Sequence, residues 1–212
     1  MIKNVIFAIS NHYLFTKKVR IMKKIMMIAA LMLMSVGAFA QRPVGGLTIK
    51  PMVGMTLATI TGGNADMKVG LAAGAEVEYV LANQFALTGG LIYSMQGCKN
   101  SSNNVDATTN LDYINVPILA NYYIIPGLAI KAGLQPGFKV RGKYKEETAG
   151  QTVEGDIKGG KTVDFAIPFG ISYEFSDFVI DARYQLGLTN VYEGGSSKNS
   201  VFMISVGYKF DL

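Results

Sequence analysis

From residue 47 onward, apolar and polar positions alternate with period two in eight stretches, and no long helical periodicity appears after Gln41. Strict alternation marks strands with one face in each of two environments. The clearest stretch is Phe178 to Thr189: Phe178, Ile180, Ala182, Tyr184, Leu186 and Leu188 share one parity, and Val179, Asp181, Arg183, Gln185, Gly187 and Thr189 share the other. The last stretch sets Phe202, Ile204, Val206, Tyr208, Phe210 and Leu212 against Ser205, Gly207, Lys209 and Asp211. The other six are 47–58, 69–80, 85–96, 112–124, 128–141 and 163–175, with apolar parities beginning at Leu47, Val69, Phe85, Ile114, Leu128 and Phe165. From those starting points no Asp, Glu, Lys or Arg falls on the apolar parity.

Volume decides which face points inward. The apolar parity carries mostly Leu, Ile, Val, Phe, Tyr and Met, whereas the other carries Gly54, Gly70, Gly74, Gly90, Gly133, Gly137, Gly170, Gly187 and Gly207 among small and charged residues. The interior of an eight-stranded barrel is only just wide enough for side chains to fill. Small and polar residues suit that lumen, and an uncharged apolar belt facing outward requires lipid. The connections after strands two, four and six are short (81–84, 125–127, 176–177). Those after strands one, three, five and seven are longer and polar (about 59–68, 97–111, 142–162 and 190–200). The expected fold is therefore an all-β, eight-stranded antiparallel up-and-down transmembrane barrel, with both termini on the short-turn, periplasmic side. Pro51, Pro117, Pro136 and Pro168 fall inside predicted strands and imply bulges or positions near a rim. Aromatics such as Tyr79, Phe85, Tyr122, Tyr173, Phe175, Phe178, Tyr208 and Phe210 gather near the short turns, where an interfacial girdle is expected.

The first 40 residues read as a leader. Lys23 and Lys24 precede an apolar run from Ile25 to Val36, and Gly37-Ala38-Phe39-Ala40 follows. This is a signal peptide with an A-x-A site at Ala38 and Ala40, so residues 22–40 should be removed and the barrel domain should span 41–212, beginning at Gln41. The run is shorter than the roughly 17–25 residues that a membrane span needs. Residues 1–21 are either an over-called start or a long n-region.

Charge and composition then narrow the chemistry. Six of the 20 Lys and Arg lie before residue 41 and none of the 15 Asp and Glu does, so Gln41 onward carries 14 basic and 15 acidic residues. The basic excess of the whole chain belongs to the leader, and nucleic acid is not an expected partner. The single His, His12, also precedes residue 41, and Cys98 is the only Cys. Metal-ligand spacings and phosphate-binding glycine loops are absent, so no cofactor or metal is expected. On the inward parity near the short-turn end lie Lys50, Glu76, Glu78, Lys131, Glu174, Asp181, Arg183 and Lys209, four basic and four acidic. Buried charges persist when paired, and this one-to-one balance suits a salt-bridged plug better than a catalytic or conducting cluster. Glu76 and Glu78 share a strand face but sit among basic residues, which argues against general acid–base work.

The segments Leu111-Asp112-Tyr113-Ile114-Asn115-Val116-Pro117, Asp164 to Phe175 and Ala182-Arg183-Tyr184-Gln185-Leu186-Gly187-Leu188 resemble small eight-stranded outer-membrane barrels of the porin-like, OmpA/OmpX type. The C-terminus, Ser205 to Leu212, is similar to the signal read by the barrel insertion machinery, with Ser205, Gly207, Phe210 and Leu212 in its positions. The resemblance implies an integral outer-membrane protein and defines a barrel, not an activity. Enzymes among similar barrels rely on a His, which this chain lacks after residue 12; no catalytic residue is assigned. The expected partners are outer-membrane lipids, the insertion machinery, and an extracellular ligand or envelope-complex partner at the long loops. The expected role is structural or surface interaction. A narrow porin-like diffusion channel and an accessory barrel of a secretion or surface-assembly complex are the rival readings.

Overall fold

The computed structural model describes residues 43–61, 66–102, 105–148, 151–157, 160–191 and 197–212. The cleavage residues expected at Ala38, Ala40 and Gln41 lie outside them. The strands are β1 (Leu47–Ile60), β2 (Asp66–Ala82), β3 (Phe85–Ser102), β4 (Val105–Asn115), β5 (Ile118–Ile125), β6 (Leu128–Thr148), β7 (Gln151–Asp156), β8 (Val163–Phe175), β9 (Phe178–Asn190), β10 (Lys198–Tyr208) and β11 (Phe210–Asp211).

Each neighbouring pair is antiparallel, and β1 pairs β10 from Met52↔Gly207 to Ile60↔Asn199, which closes the ring. Three of the eight staves are composite: β4 and β5 lie end to end between β3 and β6, β8 follows β7 along β6, and β11 continues β10 along β1. Closure of β1 on β10 leaves no unpaired edge within the apolar belt, the condition for β-structure in lipid.

The period-two pattern sorts the two faces as expected. Along β1, Thr48, Lys50, Met52, Thr56, Ala58 and Ile60 are buried, and Leu47, Val53, Met55 and Leu57 are exposed. The outer surface continues around the ring with Leu71, Leu91, Ile118, Leu134, Phe169, Ile171 and Ile204. An apolar exterior of this extent is stable only against an apolar solvent.

The short turns define one end of the barrel. In Ile125-Pro126-Gly127-Leu128, Gly127 takes φ 82°, as the third residue of a type II turn requires. The girdle packs here: Phe178 meets Tyr208 edge-on with centroids 5.0 Å apart, and Tyr208 meets Phe210 at 4.7 Å.

Two features depart from the sequence expectation. First, two of the long connections are largely strand: in 97–111 β3 runs to Ser102 and β4 begins at Val105, and β6 and β7 form a hairpin across much of 142–162. Alternation requires different solvents on the two faces; beyond the belt both faces meet water, so pairing continues without the pattern. Second, the prolines occupy breaks in the ladders rather than bulges or rims. Pro117 lies in the gap between β4 and β5, and Pro136 faces that gap, its carbonyl accepting from Val116 N–H at 2.8 Å. Pro51 faces the junction of β10 and β11. Pro168 falls in an unpaired step between Ala132↔Phe169 and Gln135↔Ala166. Register carries unchanged through each break, so the missing donors cost pairs but do not tilt the wall.

Candidate functional site

The inward side chains fill the lumen in layers. In the half nearest the short turns, the structure gathers all eight charges singled out from the sequence. Lys50 projects from β1, Glu76 and Glu78 from β2, Lys131 from β6, Glu174 from β8, Asp181 and Arg183 from β9, and Lys209 from between β10 and β11. Seven of them are at most 4% exposed, and the Glu174 side chain is 13% exposed.

Their pairing is complete and falls into two groups. In the first, Arg183 grips Glu76 with Nη1–Oε1 at 2.5 Å and Nη2–Oε2 at 2.9 Å, and grips Asp181 through Nε–Oδ1 at 2.6 Å and Nη2–Oδ2 at 2.9 Å. Lys50 Nζ stands 2.8 Å from Glu76 Oε2, and Lys131 Nζ stands 2.9 Å from Asp181 Oδ2. In the second, Lys209 Nζ lies 2.6 Å from Glu78 Oε1 and 2.7 Å from Glu174 Oε2. The first group holds three cations and two carboxylates, the second one cation and two carboxylates, so each offsets the other and the layer is neutral. Bidentate geometry with every charge bonded is what allows such a cluster to remain ionised out of water.

Sequence reasoning missed the neutral members of this layer. Tyr123 Oη donates to Glu78 Oε1 at 2.8 Å, and Asn121 Nδ2 donates to Glu78 Oε2 at 2.7 Å. Both share the inward parity of β5, which is the signal that could have found them. Room for the layer comes from small residues. A Cβ on Gly207 would lie 2.8 Å from Lys50 Cγ and 2.9 Å from the Pro51 carbonyl oxygen.

Toward the loop end, Met52, Ala72, Ile92 and Met203 form an apolar layer over the charges. Beyond it, Gln96, Asn115, Gln135, Asp164, Gln185 and Asn199 line a cavity of about 10 Å³, room for one water. Gln135 Nε2 donates to Gln185 Oε1 at 2.9 Å, Asn199 Nδ2 donates to Asp164 Oδ2 at 2.8 Å, and the Thr189 hydroxyl donates to Asp164 Oδ1. A second apolar cluster of Ile60, Leu111, Tyr113 and Val191, with Cys98 and Ile157 against it, covers that chamber.

The outer wall holds one surprise. Asp112 shares the parity of the outward Ile114, yet it is 3% exposed. Tyr93 Oη donates to its Oδ2 at 2.7 Å, and Arg141 Nη1 lies 3.7 Å from the same oxygen. Above it on β6, the hydrogen bond from Lys145 to Glu147 holds the ammonium above the usual lysine range.

Among the described residues no group of three or more His, Cys, Asp or Glu is placed to hold a metal, and each lumen carboxylate is engaged by cations or amides. A closed ring of antiparallel strands, an apolar outer belt and a small polar lumen together define a membrane-spanning β-barrel. The chain belongs to the outer membrane protein beta-barrel domain family, whose profile matches residues 39–193. It is an outer-membrane barrel by that membership. No curated protein matches the sequence. Among solved structures, the attachment invasion locus protein Ail of Yersinia pestis is 19% identical, with a TM-score of 0.49, over 78% of this chain and 99% of Ail. Neisserial surface protein A is 12% identical, with a TM-score of 0.43, over 78% and 97%. OprG from Pseudomonas aeruginosa is 14% identical, with a TM-score of 0.40, over 80% and 98%.

Proposed function

We propose that this protein is a non-enzymatic outer-membrane barrel with a closed lumen, whose role is structural or in surface interaction through its loop end. The observation that carries the reading is the network of eight buried, mutually paired charges around Arg183 and Glu76. An ion passing the lumen has to break buried ion pairs and then cross an apolar layer, both costly in low dielectric. The same pairing leaves none of the four carboxylates of this layer free to act as a base and none of its four basic groups free to activate a nucleophile. In this reading the short turns and both termini face the periplasm, the mature chain begins at Gln41, and Ser205, Gly207, Phe210 and Leu212 are read by the insertion machinery.

The test is single-channel recording of the purified, folded protein in planar lipid bilayers. Conductance near background supports the closed lumen. Steady ionic conductance of the wild-type protein rejects it in favour of a narrow diffusion channel.

A further inference from the structure

The wall is uneven at its loop end. Strands β3, β4, β6 and β7 run on past the apolar belt, and β6 continues from Arg141 to Thr148, about 25 Å of chain at 3.3 Å per residue. β7 pairs β6 without a shift of register, from Lys143↔Asp156 to Thr148↔Gln151. Among the described residues no strand pairs with the other edge of β7. Half of its backbone N–H and C=O groups therefore point away from β6, toward a side that no described strand pairs. Edge strands are ordinarily blunted by short length, charged side chains, Pro or a bulge; Gln151-Thr152-Val153-Glu154-Gly155-Asp156 has no Pro, Lys or bulge, and its two charges are both acidic, which repels an acidic strand and admits a basic one.

We propose that the open edge of β7 is a docking site for an extended segment of another protein that alternates basic and apolar residues. Backbone pairing would supply affinity, and the two faces of β7 would supply the preference. On one face Glu154 and Asp156 stand opposite Lys145 and Lys143, so a basic residue beside each carboxylate would continue a ladder of alternating sign. On the other face, the Tyr144 ring lies against Gly155, where a Cβ would come within 2.6 Å of its Cζ. Val153 beside it is 56% exposed. That face offers an apolar strip to an apolar side chain. A second copy of this chain is the poorer occupant, since it would set Glu154 and Asp156 beside another Glu154 and Asp156. The inference rests on the loop end being the interacting surface and is independent of whether the lumen conducts.

The experiment titrates the folded full-length protein, in zwitterionic detergent micelles, into a labelled, end-blocked octapeptide alternating Lys and Val, read by fluorescence anisotropy. Binding is expected, with a loss of about tenfold or more when the peptide is N-methylated at the residues that pair, since several backbone hydrogen bonds are removed together. The E154K/D156K variant should instead prefer a peptide alternating Glu and Val. Failure to bind, equal binding of the N-methylated peptide, or an unchanged preference in E154K/D156K would each overturn the proposal. Disulfide-linked dimers of V153C in a C98S background, formed in lipid vesicles, would assign the edge to a second copy and also overturn it. The conductance measurement stands apart from all of these outcomes.

Discussion

Arg183 on β9 and Glu76 on β2 are 107 residues apart in sequence and meet in the lumen through two parallel hydrogen bonds of 2.5 and 2.9 Å. Their strands are not neighbours in the ring: β1 and β10 stand between them. The pair therefore ties one wall of the barrel to another, independently of the ladders that build each wall.

Removing one member should be costly. Glu76→Gln leaves Arg183, Lys50 and Lys131 with Asp181 as the carboxylate of their group, and loss of a buried partner costs about 3–5 kcal/mol. Adding Arg183→Met to Glu76→Gln should recover part of that loss, with a coupling of about 0.5–3 kcal/mol. Urea unfolding of protein refolded into lipid vesicles measures both. Additive losses would mean that the two side chains do not act as a pair.

The second group should be more forgiving at its rim. Glu174→Gln leaves Lys209 bonded to Glu78 at 2.6 Å, and the site is slightly open to solvent, so its cost should fall below that of Glu76→Gln. Glu174→Lys sets a second cation against Lys209 and should cost about 3–5 kcal/mol. The same unfolding assay ranks the three variants, and Glu174→Gln proving the most damaging would contradict the assigned pairing.

The outer face can be tested at Ala182, which is paired with Ile171 on β8 and Ile204 on β10, both exposed on the outside. Ala182→Arg should cost up to about 2–4 kcal/mol in vesicles, depending on its depth, whereas Ala182→Leu should be close to neutral. An arginine tolerated there as well as leucine would mean that this surface does not meet lipid.

Packing and recognition at the C-terminus should separate. The close approach of Gly207 to Lys50 and Pro51 predicts a cost of about 1–3 kcal/mol for Gly207→Ala in protein refolded without any cellular factor. Leu212 is 71% exposed, so Leu212→Ser should change that stability by less than about 0.5 kcal/mol while lowering the amount of barrel assembled in cells. Normal assembly of Leu212→Ser, followed by protease protection in whole cells, would remove Leu212 from the insertion signal.

Much of this protein was legible in the sequence because its solvents imposed a local code. Wherever a strand has lipid on one side and the lumen on the other, neighbouring residues must differ, so alternation marked the strands and the bulk of each parity told outside from inside. The same code put Lys50, Glu76, Glu78, Lys131, Glu174, Asp181, Arg183 and Lys209 on the inner face. It failed where that contrast ends: Asp112 lies on the outward parity but is sheltered by Tyr93 and Arg141, and β7 lies where water meets both faces.

Partner choice across the lumen was settled by tertiary structure. Asp181 and Arg183 are two residues apart on one face of β9, but that Arg183 also takes Glu76 while Lys209 takes Glu78 and Glu174 depends on the stagger of the staves around the ring, which sets the height of each inward side chain against those across from it. Stagger is a property of the closed ring, and a period of two residues carries no record of it. The sequence by itself therefore determined the faces and the set of charges. The closed ring decided who pairs with whom, because a cross-lumen distance exists only once the first and last strands have met.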